Sequence, residues 1–345
     1  KIINCFENLS NELFYEIFDY LDACELFQAF SNLNTRYQAL LTCSSLRLKI
    51  DLRFHPEALL QYCATSIIAP NKDRIISLWW SNSHVYNSDL TLFNIDSTFS
   101  RLESLVLGGI NSNELIPLLI NLISLPRLSS LEIYSDEDGK EISNVYQIIF
   151  NLPMLKYYKL SFFAFESSIP LSVATNQQFS GIKYLVMDHS CTLNELIAIL
   201  SYTHQLCRLT CEQIDESEDN IVTDELNVIF SLTYISITRC NAEFDELETF
   251  LIKVSPQLEV LRINTFKDVT YLNANRWKQI ISQHLIHLNT FQFKYEESID
   301  EELEATVYHK TLNEFNSFFW IKRKWFFRIY IDTDLYGDNG IVYCI

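Results

Sequence analysis

Glycine is scarce in this chain of 345 residues: six in all, beside seven prolines and two methionines. So few glycines leave no Gly-rich loop to cradle a phosphate. Basic residues are short as well, with 26 Lys and Arg against 44 Asp and Glu and a formal charge of −18. A protein that neutralises phosphates needs a basic face, so nucleic acid is not an expected partner. The densest basic stretch, "IKRKWFFR", holds Lys322, Arg323, Lys324 and Arg328 and reads as a solvated rim. No apolar run reaches the roughly 18 residues that cross a bilayer, and no membrane partner is expected. A signal-peptide pattern is also missing, although the sequence begins at Lys1 rather than Met, which leaves room for residues before it.

The cysteines number nine, an odd count, with no Cys-x-x-Cys pair. That pattern predicts free, mostly buried thiols in a reducing compartment, cytoplasmic or nuclear. His204, Cys207 and Cys211, with His189 and Cys191 one repeat earlier, follow no zinc spacing, so no metal is expected. Neither Gly-x-Ser-x-Gly nor His-Glu-x-x-His occurs, and the chain is read as non-enzymatic, with no catalytic residue and no cofactor.

What the chain does have is apolar mass and rhythm. Hydrophobic residues make up 48% and aromatics 14%, far too many for a disordered chain. From residue 75 a six-residue pattern, apolar-x-x-apolar-x-apolar, recurs nine times: "IISLWW", "LESLVL", "LSSLEI", "LKYYKL", "IKYLVM", "LCRLTC", "LTYISI", "LEVLRI" and "LNTFQF". The anchors are Ile75, Leu102, Leu128, Leu155, Ile182, Leu206, Leu232, Leu258 and Leu288, at steps of 24 to 30 residues. The last two apolar positions alternate as one face of a strand does. Helical patterns lie between, among them "NSNELIPLLINLISL", "TLNELIAILSYT", "EFDELETFLIKVS" and "ANRWKQIISQHL". One strand and one helix cannot bury an apolar face alone, so such repeats stack into an α/β solenoid with a parallel sheet and a shared core.

Residues 75–293 resemble a leucine-rich repeat array, which implies a horseshoe with parallel strands inside and helices outside. The family's Asn or Cys eight residues after the anchor is matched only by Cys240, while Asn111 and Cys191 fall one place late. The segment around Pro170 makes a poor helix, and "FFRIYI" from Phe326 repeats the strand pattern once more as a closing strand or cap.

The opening has a different period. In "LSNELFYEIFDYL", Leu13, Ile17 and Leu21 form a narrow apolar stripe and Phe14 with Phe18 a second one beside it. Asp22 and Glu25 have capping-box spacing for a second helix, which carries Leu26, Phe27, Phe30 and Leu33; a third runs through Tyr37, Leu40 and Leu41. Three such helices make a marginal domain with apolar surface to spare. In residue order the segment resembles an F-box: Leu9-Ser10-Asn11-Glu12 stands for Leu-Pro-x-Glu, with Ser10 in place of Pro as an alternative helix cap. Leu13, Ile17, Phe18, Leu21, Leu26 and Phe30 match its apolar places, and Arg36 and Tyr37 its basic-aromatic end. The resemblance implies docking to a Skp-type adaptor, and through it to a cullin–RING ubiquitin ligase, by Leu9, Ser10, Glu12, Leu13, Ile17, Phe18, Leu21, Leu26 and Phe30.

The expected layout is an F-box-like helical domain at 1–45, a connecting or capping segment at 46–74, about nine repeats at 75–298, and an acidic helical insert with a C-terminal cap at 299–345. A protein client, its identity unknown, is expected on the exposed side chains of the strands: Trp79, Tyr134, Tyr157, Lys159, Tyr184, Arg208, Tyr234 and Arg262. The acidic run Cys211–Glu225 reads as a solvated loop or as an electrostatic guide for a basic client. Two functions stay open: a substrate-recognition adaptor of a ubiquitin ligase, or a repeat scaffold without ligase role whose opening helices are a cap.

Overall fold

The computed structural model describes residues 6–53, 56–81, 94–110, 112–135, 142–162, 169–174, 179–217, 228–254, 256–266, 268–298, 314–332 and 340–344. The chain divides into two compact units, Lys1–Glu137 with Leu152–Tyr157, and Asp138–Asn151 with Tyr158–Ile345.

The first unit opens with three eight-residue helices, α1 (Asn11–Phe18), α2 (Ala23–Phe30) and α3 (Thr35–Thr42). Each starts at a side-chain cap, as short helices require to satisfy their first N–H groups. Ser10 accepts from the Leu13 amide, Asp22 from those of Cys24 and Glu25, and Asn34 from that of Tyr37. Strand β1 (Leu48–Asp51) follows, then α4 (Glu57–Tyr62), a π-helical stretch Cys63–Ile68 and the single turn α5 (Ala69–Asn71). Strands β2 (Ile75–Ser81), β3 (Ser104–Gly108) and β4 (Ser130–Ser135) complete the unit, with α6 (Ser112–Leu122) between β3 and β4. Their order is β1-β2-β3-β4, every pairing parallel.

In the second unit α7 (Ile142–Phe150) precedes β5 (Tyr157–Phe162), whose first residue belongs to the first unit. Then come β6 (Tyr184–Thr192), α8 (Leu193–Ser201), β7 (Arg208–Asp215), β8 (Tyr234–Cys240), α9 (Phe244–Val254), β9 (Val260–Phe266), α10 (Ala274–Gln283) and β10 (Thr290–Ser298). Strands β6 to β10 run parallel in sequence order. A short helix, α11 (Phe318–Arg323), leads to β11 (Arg328–Asp332) and β12 (Gly340–Cys344). The closing pair is antiparallel, and β12 lies between β10 and β11.

Every one of the nine hexamers contributes a strand; eight of these begin two residues after their anchor, and β2 begins at its anchor, Ile75. All nine anchors are buried, none more than 6% exposed. Register then stacks like on like: Leu78, Leu105 and Leu131 in the first unit; Leu185, Leu209, Ile235, Leu261 and Phe291 in the second. Each such side chain adds about 1.5–3 kcal/mol on burial, so the ladders hold the repeats together. Strand ends are tied as well. Ser135 Oγ donates to the Ile110 carbonyl at 3.0 Å, and Thr265 Oγ1 to that of Cys240 at 2.8 Å. In both cases a hydroxyl seven residues after one anchor takes the carbonyl eight residues after the anchor before it.

Several features depart from the reading of the sequence. Strand β1 falls inside the segment 46–74 expected to connect or cap. The closing "FFRIYI" contributes β11, but at the outer edge, with the unforeseen β12 inserted. Around Pro170 residues 169–174 form no helix, as expected. Most of the acidic insert, 299–313, lies outside the described residues. Cys24 and Cys63 are joined as a disulfide with Cα atoms 6.1 Å apart, where free thiols were expected; a separation of 39 residues carries no signal in sequence.

Candidate functional site

Two surfaces hold the residues singled out in the sequence, and the first is on the opening helices. Phe14 and Phe18 on α1 and Tyr37 on α3 are buried at 0%, 2% and 3% exposure. Their rings meet Phe30 at 6.4, 5.1 and 5.4 Å and one another at 5.1 Å (Phe14–Tyr37) and 5.9 Å (Phe14–Phe18), an aromatic interior that fills the small bundle. Arg36 fixes where α1 begins: its guanidinium donates to the carbonyls of Glu7 and Leu9 at 2.5 Å each and to Asn11 Oδ1 at 2.8 and 3.0 Å. The Arg36 Cζ also lies 5.2 Å from the Phe14 ring centroid.

With the phenylalanine stripe turned in, the aliphatic stripe is left out. Leu13 is 44% exposed and Leu33 is 61% exposed, while Ile17 and Leu21 are half-buried. Of the other expected docking residues, Ser10 and Glu12 are exposed, and Leu9 and Phe30 are half-buried. Phe18 and Leu26 are buried, so in this fold they pack the bundle and present no free surface. A hydrogen bond with Ser10 holds the Glu12 carboxyl below the usual range.

The helices are also bound to the strand that follows. Asp22 Oδ2 accepts from the Asp51 amide at 2.6 Å, and Lys49 Nζ donates to the Asp19 carbonyl at 2.9 Å. Buried Arg74 donates to the carbonyls of Leu41 at 2.6 Å and Cys43 at 3.0 Å, which closes the end of α3. No sequence pattern marked Arg74.

The second surface is the outward side of the strands, taken unit by unit. In the first, Trp79 lies under the Arg53 guanidinium, 3.3 Å from the ring centroid, and Arg53 in turn pairs with Asp51. Tyr134 donates to Glu132 at 2.7 Å; Tyr157 is half-buried. In the second unit Tyr184, Arg208 and Tyr234 stand side by side in register across β6, β7 and β8. Arg208 stacks on Tyr234 at 4.3 Å; from β9, Arg262 lies 5.6 Å from the same ring and donates to its hydroxyl at 3.3 Å. The half-buried Tyr234 ring thus stands between two exposed guanidinium groups, each within cation–π distance. Lys159 instead pairs with Asp188 at 3.5 Å.

Past the ends of β7, β8 and β9 an open cavity of about 430 Å³ is lined in part by Glu216, Glu243, Asp245 and Asp268. Burial, reinforced by Glu243 and Glu216, raises the Glu246 carboxyl above its usual range. The acidic run expected as a loop begins inside β7, with Cys211–Asp215 in the strand, and its residues 218–225 lie outside the described residues. Among the described residues no three His, Cys, Asp or Glu side chains come together to hold a metal. His189 is engaged otherwise: its ring lies 2.7 Å from the Tyr146 hydroxyl and 2.9 Å from the Ser190 carbonyl. Cys191 and Cys211 are buried, which pushes both thiols up.

No helix among the described residues is long and apolar enough to cross a membrane. No protein-family model matches the chain, and no curated protein matches it significantly.

Proposed function

We propose that the chain is a substrate-recognition adaptor of a Skp–cullin–F-box type ubiquitin ligase, in which the opening helices dock a Skp-type adaptor and the repeat strands hold a protein client. The observation that carries this reading is the aliphatic stripe of exposed Leu13 with half-buried Ile17 and Leu21, beside a phenylalanine stripe that is buried. Caps and the Arg36 hydrogen bonds hold that stripe on a fixed backbone, so docking would cost little ordering. Client capture falls to the tyrosine and arginine residues of the second unit. The chain performs no bond chemistry in this reading; it brings client and transferring enzyme together, which turns an encounter into a nearly intramolecular step.

The test is binding of the purified chain to a Skp-type adaptor, beside the double variant Leu13→Asp with Ile17→Asp. Binding that is lost in a variant with unchanged circular dichroism supports the proposal. An intact chain that shows no binding at micromolar concentrations sinks it.

The rival is a scaffold whose helices only cap the first repeat. It draws on the Asp22–Asp51, Lys49–Asp19 and Arg74–Leu41 hydrogen bonds, which tie the helices to the strands as a cap would be tied.

A further inference from the structure

The stretch from Phe315 to Ile331 has no acidic residue, although it belongs to a chain of net charge −18. It carries Lys322, Arg323, Lys324 and Arg328, and none of these pairs with a carboxylate among the described residues. Between the cations stand large apolar side chains that the fold does not bury: Phe318 is 77% exposed, Ile321 53% and Phe326 58%. Phe318 and Ile321 are three residues apart on α11 and so share a helix face. After the helix the chain reverses at Lys324, which is in the left-handed region at φ 61°.

These side chains are held outward by what lies beneath. Trp320 is 1% exposed and its ring packs on Phe315 at 5.1 Å, Phe291 at 6.1 Å and Trp325 at 6.1 Å. With that space filled, Phe318 and Ile321 cannot turn in. Arg323 stacks on Phe319 at 4.0 Å and lies 5.6 Å from Trp325, which orders its guanidinium at the edge of the patch.

We infer that this patch is a docking surface for an anionic lipid bilayer, which it would touch without crossing. Exposed aromatic and aliphatic side chains flanked by Lys and Arg have the chemistry of the headgroup boundary, where rings enter the acyl region and cations meet lipid phosphates. Charge alone would suit any polyanion; the three exposed apolar side chains are what favour a bilayer over a soluble one. The acidity of the remaining surface then orients the contact, because at physiological ionic strength only charges within about 8 Å of the lipid count.

Co-sedimentation of the full chain with vesicles tests this, using phosphatidylcholine alone and phosphatidylcholine mixed with phosphatidylserine. The mixed vesicles should bind the chain at least about tenfold more strongly, and added salt should release it. Lys322→Glu with Arg328→Glu should abolish binding, and Phe318→Ser with Phe326→Ser should weaken it by a similar factor. Melting curves matching the parent chain show that both variants fold. Equal binding to both vesicles, or binding indifferent to the substitutions, overturns the inference. So does a chain that ignores both vesicles and binds polyglutamate through the same four residues, which assigns the patch to an acidic protein.

Discussion

The opening helices and the strands of the second unit sort their side chains in opposite ways. In the helices Phe14, Phe18 and Tyr37 go inside, and Leu13 stays out at 44% exposure. In the strands Leu209, Ile235 and Leu261 are buried, while Tyr184 is 40% exposed and Arg208 stands beside it. The reason is geometric. Three short helices enclose little space, and a few large rings fill it best. Parallel strands in register set each aliphatic side chain on its like, so Leu and Ile complete the interior and the alternate positions are free for Tyr and Arg. Apolar surface that remains in the first case is left over from packing, whereas in the second the exposed aromatics are on the other side of the strand altogether.

The largest effect that could break this contrast is the loss of one ring. Phe14→Ala should destabilise the first unit by about 3–5 kcal/mol in urea unfolding. Leu13→Ala, one residue away, should stay within about 0.5 kcal/mol. Similar costs for the two would mean that α1 has no inward and outward stripe.

The strand side of the comparison was readable in the chain because a period of two, repeated nine times, fixes which residues face in. Eight of the nine start points followed from the anchors, as did the register at the first rungs, before the shifts late in β6 and β8. The helical side was readable only in part. Phe18 and Leu26 look like surface residues when matched by order, yet a helix of eight residues gives adjacent stripes almost the same spacing, and burial depends on what packs against them. Strand β1 has four residues and no hexamer, so nothing distinguished "LKID" from a connection. Strand β12 lies between β10 and β11 through a pairing that no local pattern encodes. Arg36 could be named from sequence, but its hold on the start of α1 spans up to 29 residues and emerges only on folding.

A second test concerns a buried titratable side chain of the second unit, set against the rings of Tyr146 and Phe162. His189 is 5% exposed, and burial lowers its pKa below the usual 6.5. Its contacts suit a neutral ring that donates from Nδ1 to the Ser190 carbonyl and accepts at Nε2 from the Tyr146 hydroxyl. Above about pH 6.5 the ring is neutral in both folded and unfolded chains, and its full contribution to stability is present. As pH falls below that value the unfolded chain takes up the proton first, so stability is lost down to the lowered folded pKa. Over that window the parent chain should lose up to about 1.4 kcal/mol per pH unit more than His189→Gln. Parallel unfolding curves for the two would place His189 in water.

The smallest effect sharpens the comparison through its thiols. Cys43, at the end of α3, has its thiol lowered to about 7, first by a hydrogen bond with Ser45 and then by one with Tyr15. The Tyr15 hydroxyl is pushed up to about 12 by the same contact with Cys43. In the second unit burial acts the other way: Cys240 is raised to about 11 and Cys191 and Cys211 rise further. Only the thiolate attacks iodoacetamide, so in folded protein Cys43 should alkylate with a midpoint near its lowered value while those three stay unmodified. Ser45→Ala removes the larger cause and should move the midpoint upward more than Tyr15→Phe does. Peptide mass spectrometry across a pH series reads each site separately. A Cys43 midpoint near the ordinary 8.5 or so, unmoved by either substitution, would dissolve the Tyr15–Cys43–Ser45 cluster. It would leave burial as the one force that sets cysteine chemistry in both units.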